Sequence, residues 1–175
     1  AFGELCIAYA GASLAVVGLL EGAVMGGGFG LACVTDVAIA AENTVFRLPE
    51  TSLGVLPAQI APFLVERLGY AEAKRLAVTG SRIGAAEALQ IRLVHEVHPA
   101  DALDAALARV VGDILQCAPG ALAATKALVS RARWEQPALL VKDAAQAFSR
   151  AALGPEGVEG MTAFLQKRKA KWAPQ

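Results

Sequence analysis

The hydrophobic pattern changes period along the chain. Ala15 to Leu20 (AVVGLL) is a continuous apolar run with β-branched residues, bounded by Ser13 and Glu21, and it predicts a strand buried on both faces. Gly22 to Gly30 predicts a turn, and the small apolar residues from Gly28 to Thr35 predict a buried helix. Val37–Ala40 and Val45–Leu48 predict two further short strands. This β-turn-α-β order suits a parallel or mixed sheet with helices packed on it. From Gln59 the period becomes helical, with Ile60, Phe63, Leu64 and Leu68 on one face and Gly69 as a stop. Helices are expected at Ala71–Thr79 and Ala85–Leu89, and a last strand at Leu93–Val97. Asp101 is the expected N-cap of an Ala-rich helix running to Cys117. Beyond Pro119 the chain reads as helix, broken at Pro137 and at Gly154-Pro155. The expected division is an α/β core over 1–117 and a helical region over 118–175.

Charge and cysteine content narrow the function classes. The chain carries 16 basic and 16 acidic residues, so no net field recruits nucleic acid or an anionic membrane, and neither is expected as a partner. Cys6, Cys33 and Cys117 are odd in number and widely spaced, which suggests neither a disulfide framework nor a zinc site. A reducing, cytoplasmic setting is expected. The apolar stretch from Cys6 to Ala41 is divided by Glu21 and Asp36 into pieces shorter than the ~20 residues a bilayer requires. No basic segment precedes it, so no signal peptide is expected.

The sharpest local feature is Glu21-Gly22-Ala23-Val24-Met25-Gly26-Gly27-Gly28-Phe29-Gly30, joining a buried strand to a buried helix. Consecutive glycines cost backbone entropy. Two readings account for them: a backbone without Cβ atoms lets a ligand approach amide N–H groups at a helix start, or it lets the helix pack closely on the strand. A dinucleotide fingerprint beginning at Gly26 would need glycine where Leu31 stands, and no Lys follows as a phosphate-binding P-loop requires. His95-Glu96-Val97-His98 lacks the helical i, i+4 spacing of a metal-binding H-E-x-x-H and is read as surface. Asp36 is read as capping local backbone. No metal site is expected.

The pattern E-G-x-x-x-G-G-G-x-x-L-x-x-x-x-D from Glu21 to Asp36 is followed by F-x-L-P-E-x-x-L-G at Phe46–Gly54 and P-A-x-I-x-P at Pro57–Pro62. With the tail F-L-Q-K-R-K-A-K-W at Phe164–Trp172, these segments resemble the crotonase (enoyl-CoA hydratase/isomerase) superfamily over nearly the whole chain. The resemblance implies a crotonase-like α/β spiral core with a C-terminal helical oligomerisation region, and places the family's N-terminal third, with the second oxyanion donor, upstream of this sequence. It implies that Gly27 donates an oxyanion-hole N–H to a thioester carbonyl and that Glu50 transfers the proton. Gly26, Gly28, Gly30, Leu53 and Pro57 are the implied substrate-binding positions. The family's other catalytic glutamate falls at Gly30, which puts a two-carboxylate mechanism in doubt. Because relatives hold glutamate there, Gly30→Glu is expected to fold.

Gly30 together with Pro57–Phe63 resembles the branched glutaconyl-CoA hydratases, of the isohexenylglutaconyl-CoA or methylglutaconyl-CoA type. The expected function is a lyase that reversibly hydrates a branched 2-enoyl-CoA, with no metal or redox cofactor and with CoA as part of the substrate. Isomerisation or a non-catalytic subunit are the alternatives. A homotrimer or hexamer is implied, and Lys126, Lys167 and Arg168 are either near CoA phosphates or plain solvated charges.

Overall fold

A computed structural model describes residues 1–174. The chain divides into two compact units, one made of Ala1–Ala10 with Val16–Ala108 and the other of Gly11–Ala15 with Arg109–Gln175.

The first unit begins with α1 (Phe2–Ala10), followed by β1 (Val17–Leu20), β2 (Ala23–Met25), α2 (Gly27–Cys33), β3 (Val37–Ala41) and β4 (Val45–Arg47). After a 3-10 turn at Glu50–Leu53 come α3 (Ala61–Thr79), β5 (Arg82–Gly84), α4 (Ala85–Gln90) and β6 (Glu96–His98). The strands form two three-stranded sheets. One is fully parallel in the order β1-β3-β6; the other, β2-β4-β5, pairs β2 and β4 in parallel and β4 and β5 antiparallel. β3, buried at Ala38 to Ala41 between two parallel neighbours, matches its unbroken apolar run, whereas every residue of β1 is only half-buried.

The core of this unit gathers Phe29, Phe46, Leu48, Leu64, Leu76, Leu93 and Val94. Phe29 and Phe46 meet edge to face, with ring centroids 6.3 Å apart. Both are fully buried. Phe46→Ala is therefore expected to cost about 3–5 kcal/mol in a denaturant titration, through lost burial and the cavity left behind.

Polar groups close the ends of this sheet. Asp36 accepts the Val16 N–H at 2.7 Å, the backbone-capping role expected of it. Arg67 donates to the Leu93 and Thr35 carbonyls, and His95 Nδ1 accepts the Ala38 N–H at 2.9 Å. Burial pushes the Cys33 thiol up to about 12, which leaves it protonated and unreactive at neutral pH. Partial burial, reinforced by the nearby Arg67 charge, holds the His95 imidazole below its ordinary value. The unfolded chain then binds the proton more readily, so this part of the stability is present above about pH 6.5 and is lost as the pH falls through the lowered folded value. Thermal melts should fall more steeply on acidification for the parent than for His95→Gln.

Gly69 breaks the helical backbone where the pattern placed a stop: with φ 75 and ψ 163, a conformation open to glycine, it forms the kink within α3 between two helical runs, the second ending at Thr79. Several predicted elements are displaced. Leu93 and Val94 are buried turn residues, and β6 starts only at Glu96. Asp101 lies inside a 3-10 turn (Ala100–Ala102) before α5 (Leu103–Leu115) and does not cap that helix. α1, β2 and β5 are elements that the sequence pattern did not predict.

The second unit carries the end of α5 and then α6 (Pro119–Ala132), α7 (Pro137–Leu153) and α8 (Pro155–Leu165), with the predicted breaks at Pro137 and Gly154-Pro155. Proline at the first helical position fits all three starts. Glu156 accepts the N–H groups of Gly120 and Ala121 at 2.9 Å each and so caps α6 from α8. Trp172 donates its indole N–H to the Gln116 carbonyl at 2.9 Å. Two of the candidate phosphate-binding cations are engaged within the unit: Lys126 donates to the Leu14 carbonyl and Arg168 pairs with Glu159. That pairing pulls the Glu159 carboxyl down to about 2. Among the described residues no single helix is long and apolar enough to cross a membrane.

Candidate active site

The site forms where two parallel strands end side by side. β2 and β4 are in register, with Met25 opposite Arg47, so the segments that follow them leave the same edge of the sheet. One is the glycine turn, the other the Leu48-Pro49-Glu50 segment. The Gly26 N–H donates to the Arg47 carbonyl at 3.1 Å and ties the two together. Clefts at the carboxyl ends of parallel strands are the usual place for ligands in α/β sheets.

The glycines of the turn do different work. Gly26 has φ 52 and ψ −116, which a residue with a Cβ rarely adopts. A Cβ there would also stand 3.2 Å from Glu50 Oε1, so the carboxylate lies directly against the turn. A Cβ at Gly27 would meet the Phe2 ring at 3.1 to 3.6 Å, whereas at Gly28 it would find only an ordinary contact with Val24 at 4.0 Å. Gly27 and Gly28 are exposed in the first turn of α2, where donors have no intrahelical acceptor. Gly30 is buried behind them: its Cβ would lie 2.4 Å from Ile60 Cγ2 and 2.9 Å from Ile60 Cβ. Gly27 and Gly28 lie exposed at the start of α2, and Gly30 is a packing glycine against Ile60.

This corrects the expectation that Gly30→Glu folds freely. Ile60 already fills the room that any side chain at position 30 needs, so the glycine and the isoleucine belong together. The two stand thirty positions apart in the sequence, and the fold brings them into contact.

Glu50 opens the 3-10 turn that ends at Leu53, with Gly54 closing it in the left-handed conformation. The turn is anchored from several sides. Thr51 donates its hydroxyl to the Ala77 carbonyl at 3.0 Å, Ser52 to the Pro49 carbonyl at 2.6 Å, and Arg47 bonds both Ser52 and the Gly80 carbonyl. Glu50 is thus half-buried on a braced turn. Its Oε2 is fully buried and has no hydrogen-bond partner among the described residues. Leaving a buried polar oxygen in this state costs free energy, so it marks a place where a further polar group belongs.

The remaining predicted positions are farther out. Leu53 is 71% exposed and Pro57 is half-buried, both on the stretch that follows Glu50. His95 and His98 do not converge: His98 pairs with Glu96 at 2.8 Å while His95 faces Ala38. No group of three metal-ligating side chains occurs among the described residues. Phe2, which borders the turn, and Gln59, which bonds the neighbouring Gly3, were not singled out by the sequence, because Phe2 belongs to no recognisable motif and Gln59 fills a variable position of the Pro57–Pro62 segment.

Comparison with known proteins gives these features a family. The enoyl-CoA hydratase/isomerase family matches over residues 4–175. A crotonyl-CoA hydratase of Syntrophomonas wolfei is 35% identical over 161 residues, covering 90% of this chain and 61% of the relative. A 2,3-dehydroadipyl-CoA hydratase of Escherichia coli is 32% identical over 155 residues, covering 87% and 60%. The chain thus spans about three fifths of the curated relatives it matches. Among solved structures, Pseudomonas aeruginosa AtuE superposes with a TM-score of 0.97 at 52% identity, over 99% of this chain and 67% of that one. An enoyl-CoA hydratase/isomerase from Marinobacter aquaeolei superposes with a TM-score of 0.96 at 49% identity, over 99% and 66%. With its glycine turn, its Leu-Pro-Glu segment and a crotonase-like α/β fold, the chain belongs to the enoyl-CoA hydratase/isomerase family of the crotonase superfamily.

Proposed function

We propose that the whole protein is a lyase that reversibly hydrates a 2-enoyl-CoA thioester. The observation that carries this reading is the Glu50 carboxylate, set against Gly26 with one buried oxygen unpartnered, beside the exposed amides at Gly27 and Gly28. In this reading the Gly27 N–H polarises the thioester carbonyl and draws charge from the C2=C3 double bond. Glu50 takes a proton from water as the water oxygen bonds to C3, and returns that proton to C2 as the carbonyl re-forms. The atoms of water are thereby added across the double bond, and the carboxylate is regenerated. No metal or redox cofactor enters this scheme, because the stabilised carbonyl is the electron sink.

Gly26, Gly28, Leu53 and Pro57 would border the substrate, with Gly30 as close packing beneath it. A branched, glutaconyl-type acyl group is the substrate this reading favours, since Gly30 and the Pro57–Phe63 segment occur together. The names of the curated relatives support hydratase chemistry but vary in acyl group. A trimer or hexamer with a cytoplasmic location completes the proposal. The oligomer is supported by Phe148, Leu153, Phe164 and Leu165, each at least 75% exposed in the helical unit. Light scattering of the whole protein should report an oligomer, and a well-behaved monomer would contradict this part.

One observation favours a second reaction. With Ile60 occupying the room beyond Gly30, Glu50 is the one carboxylate found against the turn among the described residues, and a single base that moves a proton from C2 to C4 suffices to isomerise a 3-enoyl thioester to the 2-enoyl form. Product analysis with crotonyl, glutaconyl-type and 3-enoyl thioesters separates the two. A 3-hydroxyacyl product supports hydration, and a shifted double bond without added oxygen supports isomerisation. Turnover of none of them would point to a non-catalytic subunit.

A further inference from the structure

The glycine turn is held from outside by Phe2 and Ile60. Phe2 places its ring against Gly27, with three ring atoms 3.1 to 3.6 Å from the position a Cβ would take. Ile60, 96% buried, fills the space at Gly30 from the opposite sequence direction. Their chain neighbours are bonded to one another: the Gly3 N–H donates to Gln59 Oε1 at 2.7 Å. The start of α1 and the Pro57–Ile60 segment are therefore joined across the first turn of α2. They pin that turn at both ends, Gly27 and Gly30. The turn needs such support, since α2 starts at a positive-φ glycine with no side-chain cap and has only seven residues.

We infer that Phe2, Gln59 and Ile60 form a clamp whose role is to position the Gly27 amide over Glu50. These are positioning residues, acting through the turn. The inference rests on reading Gly27 and Glu50 as the thioester site. It explains why Gly30 is coupled to Ile60, and why a glutamine lies exposed between Pro57 and Ile60 yet faces a single backbone donor.

The test uses the whole protein with Phe2→Ala, Gln59→Leu and the conservative pair Phe2→Leu and Gln59→Glu, which keep an apolar contact and an acceptor oxygen. Two quantities are measured. The first is amide exchange at Gly26 and Gly30, both hydrogen-bonded, to Arg47 and Gly26 carbonyls respectively, with β3 amides as the internal reference. Loss of the clamp should speed exchange at these two amides by roughly 10-fold while β3 stays unchanged, as expected for a local opening. The second is enoyl-thioester kinetics, where kcat should fall roughly 10-fold with KM changed by less than about 3-fold, because a slightly misplaced donor weakens the transition state more than binding. The conservative variants should stay within about 3-fold of the parent in both quantities. Unchanged exchange in Phe2→Ala and Gln59→Leu overturns the clamp, and so does faster exchange with kcat unmoved. If the parent turns over no enoyl thioester, the hydratase reading fails, and exchange alone decides whether the clamp exists.

Discussion

Glu50→Gln is expected to lower turnover of the whole protein by at least ~100-fold while leaving thioester affinity nearly intact, the usual contribution of a positioned general acid-base. The substitution keeps the size and planarity of the side chain, so the braced turn from Pro49 to Gly54 should hold its shape. It also puts a neutral amide where Oε2 is buried without a partner among the described residues, and a neutral group is less costly to bury than an ionised one, so folding stability should not drop with activity. Initial rates across a series of thioester concentrations, beside a thermal melt, separate the two. A variant as fast as the parent would remove Glu50 from the chemistry.

Gly30→Glu should fail as a folded protein or lose much of its stability. A Cβ at this position lies 2.4 Å from Ile60 Cγ2 and 2.9 Å from Ile60 Cβ, far inside contact distance, and Ile60 is buried in the core. Overpacking of this kind typically costs 1–3 kcal/mol, roughly, and a carboxylate pushed among apolar side chains adds more. Trimming the neighbour in Gly30→Glu/Ile60→Gly removes both close contacts and should recover soluble protein. Soluble yield and denaturant midpoints of the single and double variants test this. A stable single variant would mean that Ile60 is free to yield.

The parts of the fold that were legible in the sequence are those with a strong period. β1 and β3 are continuous apolar runs, and α6, α7 and α8 are long helices punctuated by proline. β2 and β5 were not legible because three-residue strands next to Gly22, Gly26 and Gly84 are too short to show alternation and read as turn. Gly69 was legible as a stop because glycine there interrupts the apolar period, and it does break the helical backbone at φ 75, ψ 163 before a second helical run. At the site, Gly27 and Glu50 stood out through the motif that contains each. What the motifs lack is depth. The contact of Gly30 with Ile60 spans thirty positions, and Phe2 reaches Gly27 from an unpredicted helix, so both depend on packing that only the folded chain displays.

The account stands on Gly27 and Glu50 forming one thioester site, and turnover of enoyl thioesters by the whole protein tests it most directly. Crotonyl-CoA and glutaconyl-type CoA thioesters would be incubated with the parent in deuterated water. The prediction is a 3-hydroxyacyl thioester carrying one solvent deuterium at C2, formed at a rate that Glu50→Gln abolishes. Folded protein that binds these thioesters but forms neither a hydrated nor an isomerised product, with no deuterium at C2, would contradict it.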